Sequence, residues 1–443
     1  MTRTLSRRQV LAGAAGAAAA TASNVKRSTT VAAPAVLKQA GPVNVLYWGS
    51  YSGVLGEAEQ AIVRMFNESQ KDVVVEYQFQ GTYEETAQKL TAALQARQAP
   101  DVSLLSDVWW FRFYLANALA PLNDLIAANE IDTADYVESL YNEGVREGVS
   151  YWLPMARSTP LFYYNVDAFA EVGLEEAPEF WSQLVEVAPD LVQKDGDTIT
   201  RSAFTHPTGA SYIAWLFQAV IWQHQGLYSD PDFTIRINEP NGARAGAFYR
   251  SSVADGWATV TTSEMEIDFI NGLTASIMAS TGSMRQLTEG IGDRFEFRSA
   301  FLPKAEEFGC CTGGAGLALM AGSPPEKQEA AFKFIEYVTS TEGTTFWSQN
   351  TGYMPVRKSA VESEDMQAFF EENPNFRTAV EQLPLTQPQD AARVFIPNGD
   401  QIIGAGLERI VINLEDPQAV FDDVANTLTE EAQPVKEAIA ALG

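Results

Sequence analysis

From Val43 onward the apolar positions switch repeatedly between the period of a strand and that of a helix. Residues 43–48 (VNVLYW) read as a strand, and residues 55–67 place Ala58, Ile62, Val63 and Phe66 on one side of a helix. VVVEYQF follows as a second strand. Thr82, with Glu85 three residues later, forms a capping-box pattern that opens a helix whose Ala87, Leu90, Ala93 and Leu94 recur at helical spacing. VSLL (102–105) makes a third strand, and Asp107 stands just past its C-terminal end. This βαβαβ alternation predicts an open α/β sheet, whose ligand sites lie beyond the carboxyl ends of the strands.

A second unit of the same kind follows. LFYYN (161–165), helices near 167–172 and 181–187, and a long apolar helix over 210–222 are expected first. ASIMAS (275–280), FEFRSAFLP and GLALMAG then restore the strand pattern, with glycine-rich breaks between them. Pro325 starts a further helix and the remainder reads as largely helical. No internal repeat is visible.

The first 36 residues differ from all of this. Arg3, Arg7 and Arg8 precede an apolar run over 10–22, and no acidic residue occurs before Glu57. That run is shorter than the roughly 20 residues needed to cross a bilayer as a helix, and small residues follow it. We expect a signal peptide with a flexible N-terminus over 1–36, of the twin-arginine type, and therefore a protein exported to the periplasm. The rest is too long for one hydrophobic core and should divide into two or more domains.

A formal net charge of -27 argues against a nucleic-acid partner, because phosphate contacts need a basic surface. Cys310 and Cys311 are adjacent, which favours two buried thiols over a strained disulfide, and they lack the spacing of a metal site. Only two histidines occur, His206 and His224, and no HExxH, GxSxG or Walker A pattern is present. No catalytic residue, metal or cofactor is therefore assigned. Aromatic residues do cluster near strand ends: Trp48 with Tyr51, Trp109 with Trp110, Tyr212 with Trp215, and Tyr353. Such faces pack against the C–H faces of sugars and polyols while neighbouring hydroxyls and carboxylates hold their OH groups.

The segments WGSYSGVLGEAEQAIVRMFNES, QGTYEETAQKL, QAPDVSLLSD, PMARSTPLFYYNVDAFAEVGL, STGSM, GGAGLALMAG and FWSQNTGYMPVRKSA occur in this order. Together they resemble the solute-binding proteins of bacterial carbohydrate-type ABC importers, the maltose-binding-protein-like family. Within it the chain is most similar to the members that bind glycerol-3-phosphate and glycerophosphodiesters. The resemblance implies a two-lobe α/β periplasmic binding protein with a ligand cleft between the lobes. It implies three interdomain crossings, near 154–160, 278–283 and 311–316, with lobe 1 formed by 43–157 plus 279–311 and lobe 2 by 158–278 plus 312–443.

Carried over position by position, the resemblance implies ligand contacts at Tyr83, Asp107, Ser158, Ser283, Gly314 and Tyr353, with Tyr212 and Trp48 as aromatic candidates. Two positions depart from the family pattern. The phosphate-binding members carry an arginine where this chain aligns Ile403 or its neighbours, leaving Arg393 as the nearest substitute. Their tryptophan pair is replaced by THPTGASY, which leaves Tyr212 and Trp215. The implied function is capture of glycerol-3-phosphate, a glycerophosphodiester or a related polyol for an ABC importer. The alternative is a neutral mono- or oligosaccharide, and a glycan-active enzyme is a remote third reading. The implied partners are that small ligand and membrane permease subunits, with the protein itself a monomer.

Overall fold

The computed structural model describes residues 41–442, and Pro42–Gly443 forms one compact unit. The expected signal peptide, 1–36, lies outside the described residues. Ten strands build two sheets: β1 Val43–Gly49, β2 Val73–Phe79, β3 Val102–Ser106, β4 Trp152–Ser158, β5 Pro160–Asn165, β6 Phe204–His206, β7 Ala258–Val260, β8 Ser276–Ser280, β9 Phe297–Ala300 and β10 Gly313–Leu319. The first sheet has the order β2-β1-β3-β10-β4 and the second β7-β6-β8-β5-β9.

Each sheet follows the same plan. In the first, β1 pairs in parallel with β2 and β3, while β10 runs antiparallel to β3 and β4. In the second, β6 pairs in parallel with β7 and β8, and β5 runs antiparallel to β8 and β9. The predicted βαβαβ start is present: helices Gly53–Ser69 and Tyr83–Ala96 connect β1, β2 and β3. Both crossover connections bury one helical face against the sheet, which is why β1 and β3 read as near-continuous apolar runs. The predicted capping box is formed, with Glu85 N donating to Thr82 Oγ1 and Thr82 N to Glu85 Oε2.

The lobe boundaries differ from the expectation. β4 ends at Ser158 in the first sheet and β5 begins at Pro160 in the second, so the chain crosses at Thr159. No crossing occurs at 278–283, because β8 and β9 both belong to the second sheet. The segment 279–311 therefore contributes its strand to lobe 2, and the segment after 312 opens with β10 in lobe 1, the reverse of the predicted assignment. The physical cause is pairing: β9 finds its partner in β5, along Phe297–Asn165 to Ala300–Phe162, and β10 inserts between β3 and β4. The chain returns to lobe 1 over 301–312. It leaves again after helix Thr341–Thr351, which packs on Gly53–Ser69, and before helix Pro374–Gln382, which packs on β9.

The first crossing is tied by buried polar groups. Thr159 Oγ1 lies 2.9 Å from Cys310 Sγ, and Gln382 Nε2 donates to Thr159 Oγ1 at 3.1 Å and to the Pro160 carbonyl at 2.8 Å. Both cysteines are free and fully buried, and burial pushes the Cys310 thiol up to about 12.

Candidate functional site

Asp107 owes its place to strand geometry. β3 is buried on both faces and ends at Ser106, and Asp107 N then donates to Gly314 O at 2.9 Å, so the carboxylate emerges at the carboxyl end of the strand. Gly314, in β10, has φ +111°, and a Cβ there would lie 2.0 Å from Ala156 O, so only glycine lets the strands approach this closely. Tyr83 is the first helical residue after the Thr82 cap. Tyr353 follows Gly352, which ends helix Thr341–Thr351 in the left-handed conformation.

These residues line one cavity of about 570 Å³ between the two sheets, together with Ser158, Ser283, Tyr212 and Arg393. Eight of the nine predicted positions thus meet, although they span 310 residues from Tyr83 to Arg393. Trp48 is the exception, contrary to the expectation for it. It is buried in β1, does not line the cavity, and its indole Nε1 faces the core without a partner. Its alternation in β1 sends the ring to the packed face of the sheet.

On the lobe 1 wall three phenols form a cluster. The Tyr51 hydroxyl shares a hydrogen bond with that of Tyr83 and donates to Tyr353 Oη at 3.3 Å. Burial raises the pKa of all three, so they remain neutral donors. Tyr353 is further fixed by stacking on Trp347, with ring centroids 5.8 Å apart and 20° between planes. A Cβ at Gly282 would come within 2.8 Å of Tyr353 Cζ, so this glycine admits the ring.

On the lobe 2 wall Tyr212 and Trp215 stack at 5.8 Å and 16°, one helical turn apart on Ala210–Gln223. Tyr212 Oη accepts from Ser280 N at 2.9 Å and donates to Glu266 Oε1 at 3.2 Å, which Ser283 Oγ also approaches at 2.9 Å. Burial raises the pKa of Glu266, opposed in part by these hydrogen bonds.

Arg393 is the cation of the site. It sits on the short helix Ala391–Val394, whose preceding Asp390 is anchored by Gln218 Nε2 at 3.0 Å, Trp222 Nε1 at 3.1 Å and Tyr228 N at 2.7 Å. Its Nη2 donates to Ser211 O at 2.9 Å and its Nη1 to Gln389 Oε1, while Nε has no partner. Gln389 Nε2 donates to Asp107 Oδ2 at 2.6 Å, so one amide bridges the guanidinium and the carboxylate. Among the described residues no carboxylate pairs with Arg393. Ile403, where the family pattern aligns an arginine, is fully buried in helix Gly399–Ile412.

Gln389, Asp390 and Glu266 were not selected from the sequence. A polar pair, Gln-Asp, directly before the AARV turn was the available signal for the first two. Glu266 was lost among 57 acidic residues. Neither histidine lines the cavity: His206 is buried with Nε2 2.7 Å from Ser252 Oγ, and His224 is the C-cap residue of Ala210–Gln223. A larger cavity, about 770 Å³, adjoins through Asp107. Its aromatic walls are already covered by the chain's own Arg146, whose guanidinium lies 4.9 Å from the Trp110 ring and 4.5 Å from that of Phe395.

A cavity walled by two lobes and lined with hydroxyls, aromatic faces, carboxylates on both walls and a guanidinium without an ion pair defines a two-lobe ligand-capture protein. The family model for the bacterial extracellular solute-binding protein matches residues 61–378, and the chain belongs to that family. The chain is 40% identical to UgpB from Mycobacterium tuberculosis, whose crystal structure is in complex with glycerophosphocholine; the TM-score is 0.83 and the match covers 89% of this chain and 99% of that one. It is 25% identical over 394 residues to the sn-glycerol-3-phosphate-binding periplasmic protein UgpB of Escherichia coli, covering 85% of this chain and 89% of the relative. The GacH receptor of Streptomyces glaucescens shares the fold at 19% identity, with a TM-score of 0.76 over 88% of this chain and 98% of that one.

Proposed function

We propose that this protein is the substrate-binding subunit of an ABC importer, capturing glycerol-3-phosphate, a glycerophosphodiester or a related polyol in the periplasm and delivering it to membrane permease subunits. It acts as a monomer and performs no chemistry on its ligand. The observation that carries the reading is Arg393, a buried cation without a carboxylate partner at the wall of a cavity that also offers hydroxyl-binding groups. A phosphate monoanion supplies the missing countercharge, and the guanidinium fork matches its oxygens. The N-terminus of helix Ala210–Gln223 borders the same cavity through Ala210 and Ser211, adding a backbone dipole of the right sign, whereas that of Gly399–Ile412 carries the Asp400 carboxylate. Asp107, Ser158, Tyr83 and Tyr353 are the partners for glycerol hydroxyls. The two relatives named UgpB, which bind ligands of this chemistry, support the same assignment.

A thermal-shift screen across glycerol-3-phosphate, glycerophosphodiesters, polyols and sugars tests it. A phosphorylated ligand at about 100 times its dissociation constant should stabilise the fold by roughly 2.7 kcal/mol. Stabilisation by neutral sugars alone would replace this reading with the saccharide alternative.

A further inference from the structure

Glu266 is one of two carboxylates on the lobe 2 wall; the other, Asp400 in the first turn of helix Gly399–Ile412, is buried with its Oδ2 unpartnered. Both of its protein donors, Tyr212 Oη and Ser283 Oγ, approach Oε1, and among the described residues no other side chain donates to Oε2. It forms no ion pair with any described lysine or arginine. The residue lines the cavity, its carboxylate supported by its own backbone N–H as well as by the two hydroxyls.

The wall is also ordered. Glu266 meets the hydroxyl end of Tyr212. At the other end of the stacked pair, Trp215 Nε1 donates to Thr312 O at 3.1 Å, an oxygen shared with Gln389 Nε2 at 2.9 Å, and Gln389 holds Arg393. The carboxylate and the guanidinium thus both border the stacked pair, Arg393 also through Ser211 O at 2.9 Å, and no ion pair joins them. A ligand that satisfies both is itself dipolar: an anion at Arg393, an apolar stretch over the rings, and a cation or donor at Glu266. An aromatic platform favours the cation, because the ring faces attract it.

We infer that Glu266 is the specificity-determining residue for the end of the ligand distal to the phosphate, selecting glycerophosphodiesters whose head group carries an alkylammonium over those with an uncharged head. The inference rests on the phosphodiester reading above. A buried carboxylate without a cation keeps its desolvation cost in the empty site, and a ligand ammonium offsets that cost while a neutral alcohol supplies only one hydrogen bond. Asp107, on the opposite wall, is already engaged by Gln389 and contributes to hydroxyl recognition common to all such ligands.

The test is isothermal titration of the full chain with glycerophosphocholine, glycerophosphoethanolamine and glycerophosphoglycerol at constant ionic strength. Glu266→Gln keeps the shape and the contacts to Tyr212 and Ser283 but removes the charge. It should weaken both ammonium-bearing ligands by about tenfold while changing glycerophosphoglycerol by less than about threefold. Glu266→Asp, which retains the charge, should keep the preference, and Asp107→Asn should weaken all three ligands alike. Equal weakening of the three ligands by Glu266→Gln, or no weakening, overturns the role given to Glu266 while leaving the function intact. Failure of the unmodified protein to bind any of the three would instead reject the phosphodiester reading on which it rests.

Discussion

Replacing Arg393 with methionine removes the charge while keeping an apolar stem of similar length. The guanidinium is 4% exposed, gives two of its donors to Gln389 Oε1 and Ser211 O, and leaves Nε unpaired. In the bound state two charge-assisted hydrogen bonds to a phosphate, at about 1.5–3 kcal/mol each, would be lost. That sums to about 3–6 kcal/mol, or roughly 10²- to 10⁴-fold in affinity. A neutral polyol makes no such bonds, and its affinity should change by less than about threefold. In the ligand-free protein the two acceptors left behind cost about 1 kcal/mol each, offset by relief of a buried cation, so stability should stay within about 2 kcal/mol of the parent. Isothermal titration with glycerol-3-phosphate and with a neutral polyol, alongside urea denaturation, separates these terms. Arg393→Lys, which keeps the charge but loses the fork, should fall between the two. Equal losses for phosphorylated and neutral ligands, or unchanged affinity for the phosphorylated one, would refute the assignment of Arg393 as the phosphate partner.

Gly314→Ala should destabilise the protein by at least about 1–2 kcal/mol, since φ of +111° is unfavourable for alanine and its Cβ would meet Ala156 O at 2.0 Å; wild-type stability in urea would show that β10 can shift freely. Glu59 is fully buried, accepts from Tyr47 Oη at 2.5 Å and Tyr77 Oη at 2.9 Å, and burial lifts its pKa from 4.5 to about 7. A group with a raised folded pKa contributes stability that is complete below the unfolded value and is lost as pH rises through the folded one. Between pH 5 and pH 8 the protein should therefore lose on the order of 2–3 kcal/mol through Glu59. Glu59→Gln should remove that loss, and identical pH profiles for the two proteins in urea denaturation would contradict it.

The alternation of periods along residues 43–105 determined the first three strands and both connecting helices, because an α/β layer imposes its burial pattern locally. The capping box at Thr82 is likewise a local device and was legible as such. That eight of the candidate residues line one cavity was legible through the resemblance, but not the place of Trp48, whose side of the strand depends on register rather than composition. Lobe membership was not legible. Whether β9 or β10 returns to the first sheet is decided by pairing between residues 132 and 217 positions apart, Phe297 with Asn165 and Leu319 with Val102, and no local pattern records such a choice. The same holds for the polar frame of the cavity. Arg393 stands in the site, rather than at the position of Ile403, because Asp390 is held by Gln218, Trp222 and Tyr228. Glu266 differs from the other acidic residues only in what surrounds it, since Tyr212 and Ser283, 54 and 17 residues away, reach it only once lobe 2 has folded.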